Sequence, residues 1–135
     1  MYRKIVAAID DTDSATRAAR EAIALARGTG AELLFLHVGA TSGGDNALAM
    51  AKAFAEGAGL KVTTARVASD GESIGEKVVH EAERWGADLI VAGRHQRGPV
   101  ERLLLGSVSE AIVRAAELPV LLVRRVTPAS QAPSS

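Results

Sequence analysis

The sequence predicts an α/β protein, a single domain built on a doubly wound, five-stranded parallel sheet with helices on both faces. Three observations carry this. Short continuous apolar runs recur along the chain, each of the length and composition of a strand buried on both faces. Segments with apolar residues at helical spacing lie between them. Strand and helix alternate in this way to the end of the pattern, which closes on a strand, and right-handed crossovers between parallel strands are the connection such an order allows.

The elements follow in order. Ile5-Val-Ala-Ala-Ile9 is the first strand, ended by Asp10-Asp-Thr-Asp-Ser14, whose short polar side chains make turns and cap helices. Ala18, Ala22, Ile23, Leu25 and Ala26 then mark a helix, with Gly28 and Gly30 as its stop. Leu33-Leu-Phe-Leu-His-Val38 reads as the second buried strand. A loop containing Gly43-Gly44 leads to an alanine-rich helix from about Asn46 to Glu56, and the alternating stretch from Lys61 to Val67 suits a third strand near the sheet edge. Ser69-Asp-Gly71 marks a turn before a helix from Glu72 to Trp85, whose apolar stripe is Ile74, Val78, Val79 and Ala82. Leu89-Ile-Val91 is the fourth strand. Val108, Ile112, Val113 and Ala116 give the last helix, and Val120-Leu-Leu-Val123 the fifth strand. The domain is expected to cover residues 1–126, and "TPASQAPSS", 127–135, has the composition of a disordered tail.

Composition narrows the function. Aromatic residues make up only 3% of the chain, so the core has to be assembled from Ala, Val, Leu and Ile. No apolar run approaches the roughly 20 residues that span a bilayer, and the run behind Met1-Tyr-Arg-Lys is too short for a signal-peptide core, so the expected setting is the cytoplasm with no membrane partner. There is no cysteine, hence no disulfide and no thiolate chemistry. Sixteen basic residues balance 16 acidic ones, which argues against nucleic-acid binding. Locally the balance tips, because Arg94, Arg97, Arg102 and Arg114 face only Glu101 and Glu110.

In doubly wound sheets ligands sit outside the carboxyl ends of the strands, where the strand order reverses. Asp10, His37-Val38 and Gly93 all fall on that edge. The connection after Gly93 is long, about twelve residues where about two to six are usual. It is not a P-loop: Gly93 and Gly98 have the spacing, but Pro99 and Val100 stand where Lys and Ser or Thr belong. It is not a dinucleotide fingerprint either, since Gly28-Thr-Gly30 lies between a helix and a strand. What remains is Gly106-Ser107-Val108-Ser109 at a helix start, where N–H groups, the helix dipole and two hydroxyls favour an anion. The competing reading is that Ser107 merely caps the helix, with Glu110 completing a capping box. His37, His80 and His95 share no spacing, so no metal site is expected. His37 is either structural or near a base, His80 half exposed, and Trp85 packed at its helix end. Asp11 and Asp13 are explained by turns and caps.

Several stretches together resemble the universal stress protein family, and the resemblance covers nearly the whole chain. They are Ala8-Ile-Asp10, Leu36-His-Val38, Gly86-Ala-Asp-Leu-Ile-Val91, "RLLLGSVSE" from Arg102 to Glu110, and Leu118-Pro-Val-Leu-Leu-Val123. The nucleotide-binding branch of that family carries G-x2-G-x9-G-[ST] after the fourth strand, which maps onto Gly93, Gln96, Gly106 and Ser107. The resemblance implies that Asp10 and Val38 hold the adenosine part of ATP. It implies that Gly93, Gly106, Ser107, Val108 and Ser109 hold the phosphates, with or without Mg2+; Arg94 and Arg97 are candidates to pair with phosphate. It also implies a homodimer through the last strand, Val120–Val123, an apolar edge that needs covering.

Gln96 departs from the motif, where glycine allows close backbone approach and a positive φ; a Cβ there costs about 1 kcal/mol or more. Asp11-Thr12 is a milder departure from Gly-Ser. Two functions stay open. One is a dimeric, ATP-responsive stress regulator without catalytic residues, capable at most of slow hydrolysis or of autophosphorylation at Ser107 or Ser109. The other is a nucleotide-free dimeric module that works through an unknown protein partner, with Gln96 having impaired the site. An enzyme that activates its substrate with ATP is a more distant third.

Overall fold

The computed structural model describes residues 2–10, 13–39, 42–94 and 106–124. In chain order these form β1 (Lys4–Ala8), α1 (Asp13–Thr29), β2 (Glu32–Val38), α2 (Ser42–Gly57), β3 (Val62–Val67), α3 (Ile74–Trp85), β4 (Leu89–Arg94), α4 (Ser107–Ala115) and β5 (Val120–Arg124). All four pairings are parallel, and the strand order is β3-β2-β1-β4-β5. The chain winds outward from β1 through β2 to β3, then crosses back to β4 on the other side of β1. The order therefore reverses between β1 and β4, in the centre of the sheet. The expected fold class and the edge position of β3 are both found.

Period-two alternation divides the strands between two cores. Ile5, Ala7, Leu33, Phe35, Leu89 and Val91 pack under α1 and α2, while Val6, Leu34, Leu36, Val38, Ile90 and Ala92 pack under α3 and α4. Phe35 is the one aromatic among the fully buried side chains, and the rest of the core is aliphatic. Small residues make that possible, because they let helices lie close. Gly75 shows how close: a Cβ built there would stand 2.5 Å from Ala111 Cβ and 2.6 Å from the Val108 carbonyl oxygen. The α3–α4 crossing is thus seated on bare backbone.

Several element ends differ from the sequence reading, each for a physical reason. Gly28 lies inside α1, and Gly30, at φ +75°, ends it, its N–H donating to the Ala26 carbonyl at 2.8 Å. The first turn of α2 includes Gly43 and Gly44 instead of leaving them in a loop. At α3 the start is Ser73, whose Oγ accepts from the Glu76 N–H at 3.2 Å and donates to the Glu76 carboxylate at 3.0 Å. This capping interaction moves the helix start past Glu72. The helix ends in a Schellman turn, with Gly86 at φ +85° and the Ala87 N–H reaching the Ala82 carbonyl at 2.9 Å. At the same end the Lys4 ammonium sits 4.9 Å from the centre of the packed Trp85 ring. Finally, β4 runs on through Gly93 to Arg94, because β5 offers partners for both, Val123 and Arg124. Gly93 is therefore in the strand and not after it.

The Gly75 contact makes a direct prediction. Gly75→Ala forces the new methyl against main-chain atoms of α4 and is expected to lower stability by about 1–3 kcal/mol, read from urea unfolding. An unchanged midpoint would mean that the two helices are free to separate.

Candidate functional site

The carboxyl ends of β1, β2 and β4 and the start of α4 meet at one edge of the sheet. Ala8 is paired with Leu36, and Ala7 with Val91. Extending those registers sets Ile9 level with both His37 and Gly93, and Asp10 level with Val38. The adenosine-end and phosphate-end candidates thus converge around the reversal of strand order, the crevice in which doubly wound sheets take ligands. Asp10 is half-buried at the end of β1, and Val38 is buried as the last residue of β2, on the α3–α4 side.

Helix α4 opens differently from the capping box that Ser107 and Glu110 suggest. Its N-cap is Gly106, in ordinary extended backbone at φ −65° and ψ 163°, with no side-chain cap. The Gly106 carbonyl accepts the Glu110 N–H at 2.9 Å, so Ser107 is already the first helical residue and its exposed side chain does not cap. Glu110 instead pairs with Arg114 one turn on, at 2.7 Å. By helix geometry the N–H groups of Ser107, Val108 and Ser109 have no acceptor inside the helix, and the dipole adds partial positive charge there.

Ser109 is 1% exposed and donates its hydroxyl proton to the Gly93 carbonyl at 3.1 Å. This bond ties the opening turn of α4 to the end of β4 across sixteen residues of sequence. Nothing in local composition announces it, since an isolated Ser-x-Ser at a helix start reads as two candidate caps. A groove of about 500 Å³ lies between the start of α3 and α4, lined by Ser73, Glu76, Ser107, Glu110 and Arg114 among others.

His37 is more central than its sequence suggests. Its ring is 5% exposed, and Nδ1–H donates to the Ile9 carbonyl at 2.7 Å; a carbonyl only accepts, so Nδ1 carries the proton. Gly44 of α2 lies against the same ring, since a Cβ there would meet Nε2 at 2.2 Å and Cδ2 at 2.3 Å. That close approach is why a glycine stands at position 44 in the first turn of α2. His80 is half exposed on α3 and paired with Glu72. Among the described residues no three His, Asp or Glu side chains converge as metal ligands, and no helix is long and apolar enough to cross a membrane. Arg94 ends β4; Gln96, Arg97 and the tail at 127–135 lie outside the described residues.

Comparison with known proteins agrees with this architecture. The family profile described as "Universal stress protein family" matches residues 1–124. A universal stress protein of Methanocaldococcus jannaschii is 33% identical over 145 residues, covering 93% of this chain and 84% of the relative. The solved structure of another protein of that organism, MJ0577, superposes with a TM-score of 0.80 at 28% identity, covering 94% of this chain and 99% of that one. A universal stress protein solved in complex with cAMP superposes with a TM-score of 0.75 at 27% identity, over 90% of this chain and 96% of that one. A profile match along 124 residues, joined to a fold shared over nearly the full length of these structures, means that the chain belongs to the universal stress protein family.

Proposed function

We propose that the protein binds an adenine nucleotide, ATP or a relative of it, at the carboxyl edge of its sheet, and acts in the cytoplasm as a dimeric stress-response regulator. The observation that carries this is the opening of α4. Gly106 caps it without a side chain, Ser107 stands exposed beside N–H groups that lack helical acceptors, and Ser109 anchors the turn to Gly93. A phosphate chain at that point has several donors at once. Asp10 and Val38, level with each other across β1 and β2, are suited to the adenosine end. The cAMP-bound relative supports an adenine ligand as the class. Arg94, where β4 ends, and Arg97, beyond the described residues, complete the proposed phosphate end; Mg2+ would accompany ATP there. The sequence carries no P-loop lysine, so rapid hydrolysis is not expected. A regulator then responds to occupancy, through conformation or partner choice.

For the dimer, β5 is the proposed interface. It is the last strand of the sheet, and Leu121 is 38% exposed on it. An apolar open edge of this kind is stabilised by pairing with a second copy.

Titration calorimetry of nucleotide-stripped protein with Mg-ATP tests the binding. Micromolar affinity is expected, weakened about tenfold in Ser107→Ala by loss of a donor to a charged oxygen, with the melting temperature unchanged because Ser107 makes no cap. Absence of heat and of thermal stabilisation at millimolar ATP would overturn the reading in favour of a nucleotide-free interaction module, the outcome Gln96 favours. Sedimentation of Leu121→Lys tests the interface: a shift from dimer to monomer is expected, and an intact dimer would place the contact elsewhere.

A further inference from the structure

We propose that His37 is the positioning residue for the adenosine end of the site. This rests on the adenine-nucleotide reading above and deepens it. The hydrogen bond from His37 Nδ1 to the Ile9 carbonyl joins the residue just before Val38 to the residue just before Asp10. The Ile9 carbonyl and the Asp10 N–H belong to one planar peptide unit, so holding the first sets the direction of the second and the origin of the Asp10 side chain. On its other side Ile9 is fixed too, its N–H donating to the Leu36 carbonyl at 2.8 Å. The first strand leaves the ladder at this point, and the imidazole takes over where main-chain pairing stops.

The ring itself has little freedom. It is buried at the carboxyl end of β2, beneath the first turn of α2, with Gly44 so close that a methyl group there would overlap Nε2, Cδ2 and Cε1. Gly39, the residue after Val38, donates its N–H to the Val67 carbonyl at 2.9 Å and takes φ +127°, and β2 ends there. One side chain therefore sets two backbones: that carrying Asp10, through the hydrogen bond, and that carrying Val38, through the chain. In this arrangement His37 touches no ligand. It keeps the two walls of the adenosine pocket in register, with the closeness of α2 as its backing.

The variants separate this role from mere stability. His37→Leu removes the donor and His37→Asn returns one at the place of Nδ1. Gly44→Ala leaves the imidazole chemistry intact but pushes the ring off its position. Each is titrated with Mg-ATP, with AMP and with inorganic tripolyphosphate, and its melting temperature recorded. The expected result is that His37→Leu and Gly44→Ala weaken AMP and ATP about tenfold while tripolyphosphate, held at the start of α4, binds as in the wild type. His37→Asn recovers most of the lost affinity. Three results would overturn the inference: AMP affinity unchanged in both weakened variants, an equal loss for tripolyphosphate, or no recovery with Asn. Wild-type protein that takes up none of the three ligands would instead sink the nucleotide reading, and this inference with it.

Discussion

A parallel sheet cannot be joined by hairpins, so every strand must be followed by a crossover that returns the chain to the starting edge. All five carboxyl ends here consequently open on the same side, and the reversal of order between β1 and β4 splits the connections apart in the middle of that side. The rest of the structure depends on this constraint. It brings Asp10, Val38, Gly93 and the first turn of α4 together although they are spread over a hundred residues of chain. It also leaves β3 and β5 as the two edge strands, β5 being the more apolar.

Holding four crossover helices against one sheet without aromatic bulk requires close approach, and the small residues supply it. Gly75 lets α4 rest on the backbone of α3, and Gly44 lets α2 rest on the imidazole of His37. Two polar contacts then fix the carboxyl edge from opposite sides of the sheet: Ser109 to Gly93 beneath α4, and His37 to Ile9 beneath α2. Each joins a side chain to a main-chain carbonyl at the carboxyl end of the sheet. A buried carbonyl without a partner is costly, so these bonds answer a structural need. They also leave the mouth of the site with fixed walls.

How far the sequence could be read follows from which interactions are local. Strands β1, β2 and β4 announce themselves as continuous apolar runs because both of their faces are buried, and β5 is as apolar in sequence although Leu121 on it is 38% exposed. The helices announce themselves through apolar stripes. What escapes is decided by tertiary neighbours. Gly43-Gly44 has the composition of a loop, yet α2 already includes both, with Gly44 close against the imidazole of His37. Gly93 looks like a strand terminator, yet β5 supplies a partner and the strand continues. Ser107 with Glu110 has the same pattern as Ser73 with Glu76, and only the latter pair forms the cap. At α4 the Gly106 carbonyl already starts the helix, which leaves Ser107 outward-facing. Of the site, the shared edge and the Gly-Ser helix start were legible from strand order and motif. The anchoring roles of Ser109 and His37 were not, since each depends on a carbonyl far away in the chain.

An adenine nucleotide is proposed to sit in the crevice between β1 and β4, at the start of α4. Amide-resolved NMR of labelled protein during an ATP titration tests it most directly. Saturable shifts are expected at Asp10, Val38, Gly39 and Ser107 to Ser109, with Val62–Val67 at the far edge of the sheet unaffected. Saturable shifts confined to other surfaces, or none at millimolar nucleotide, would contradict it.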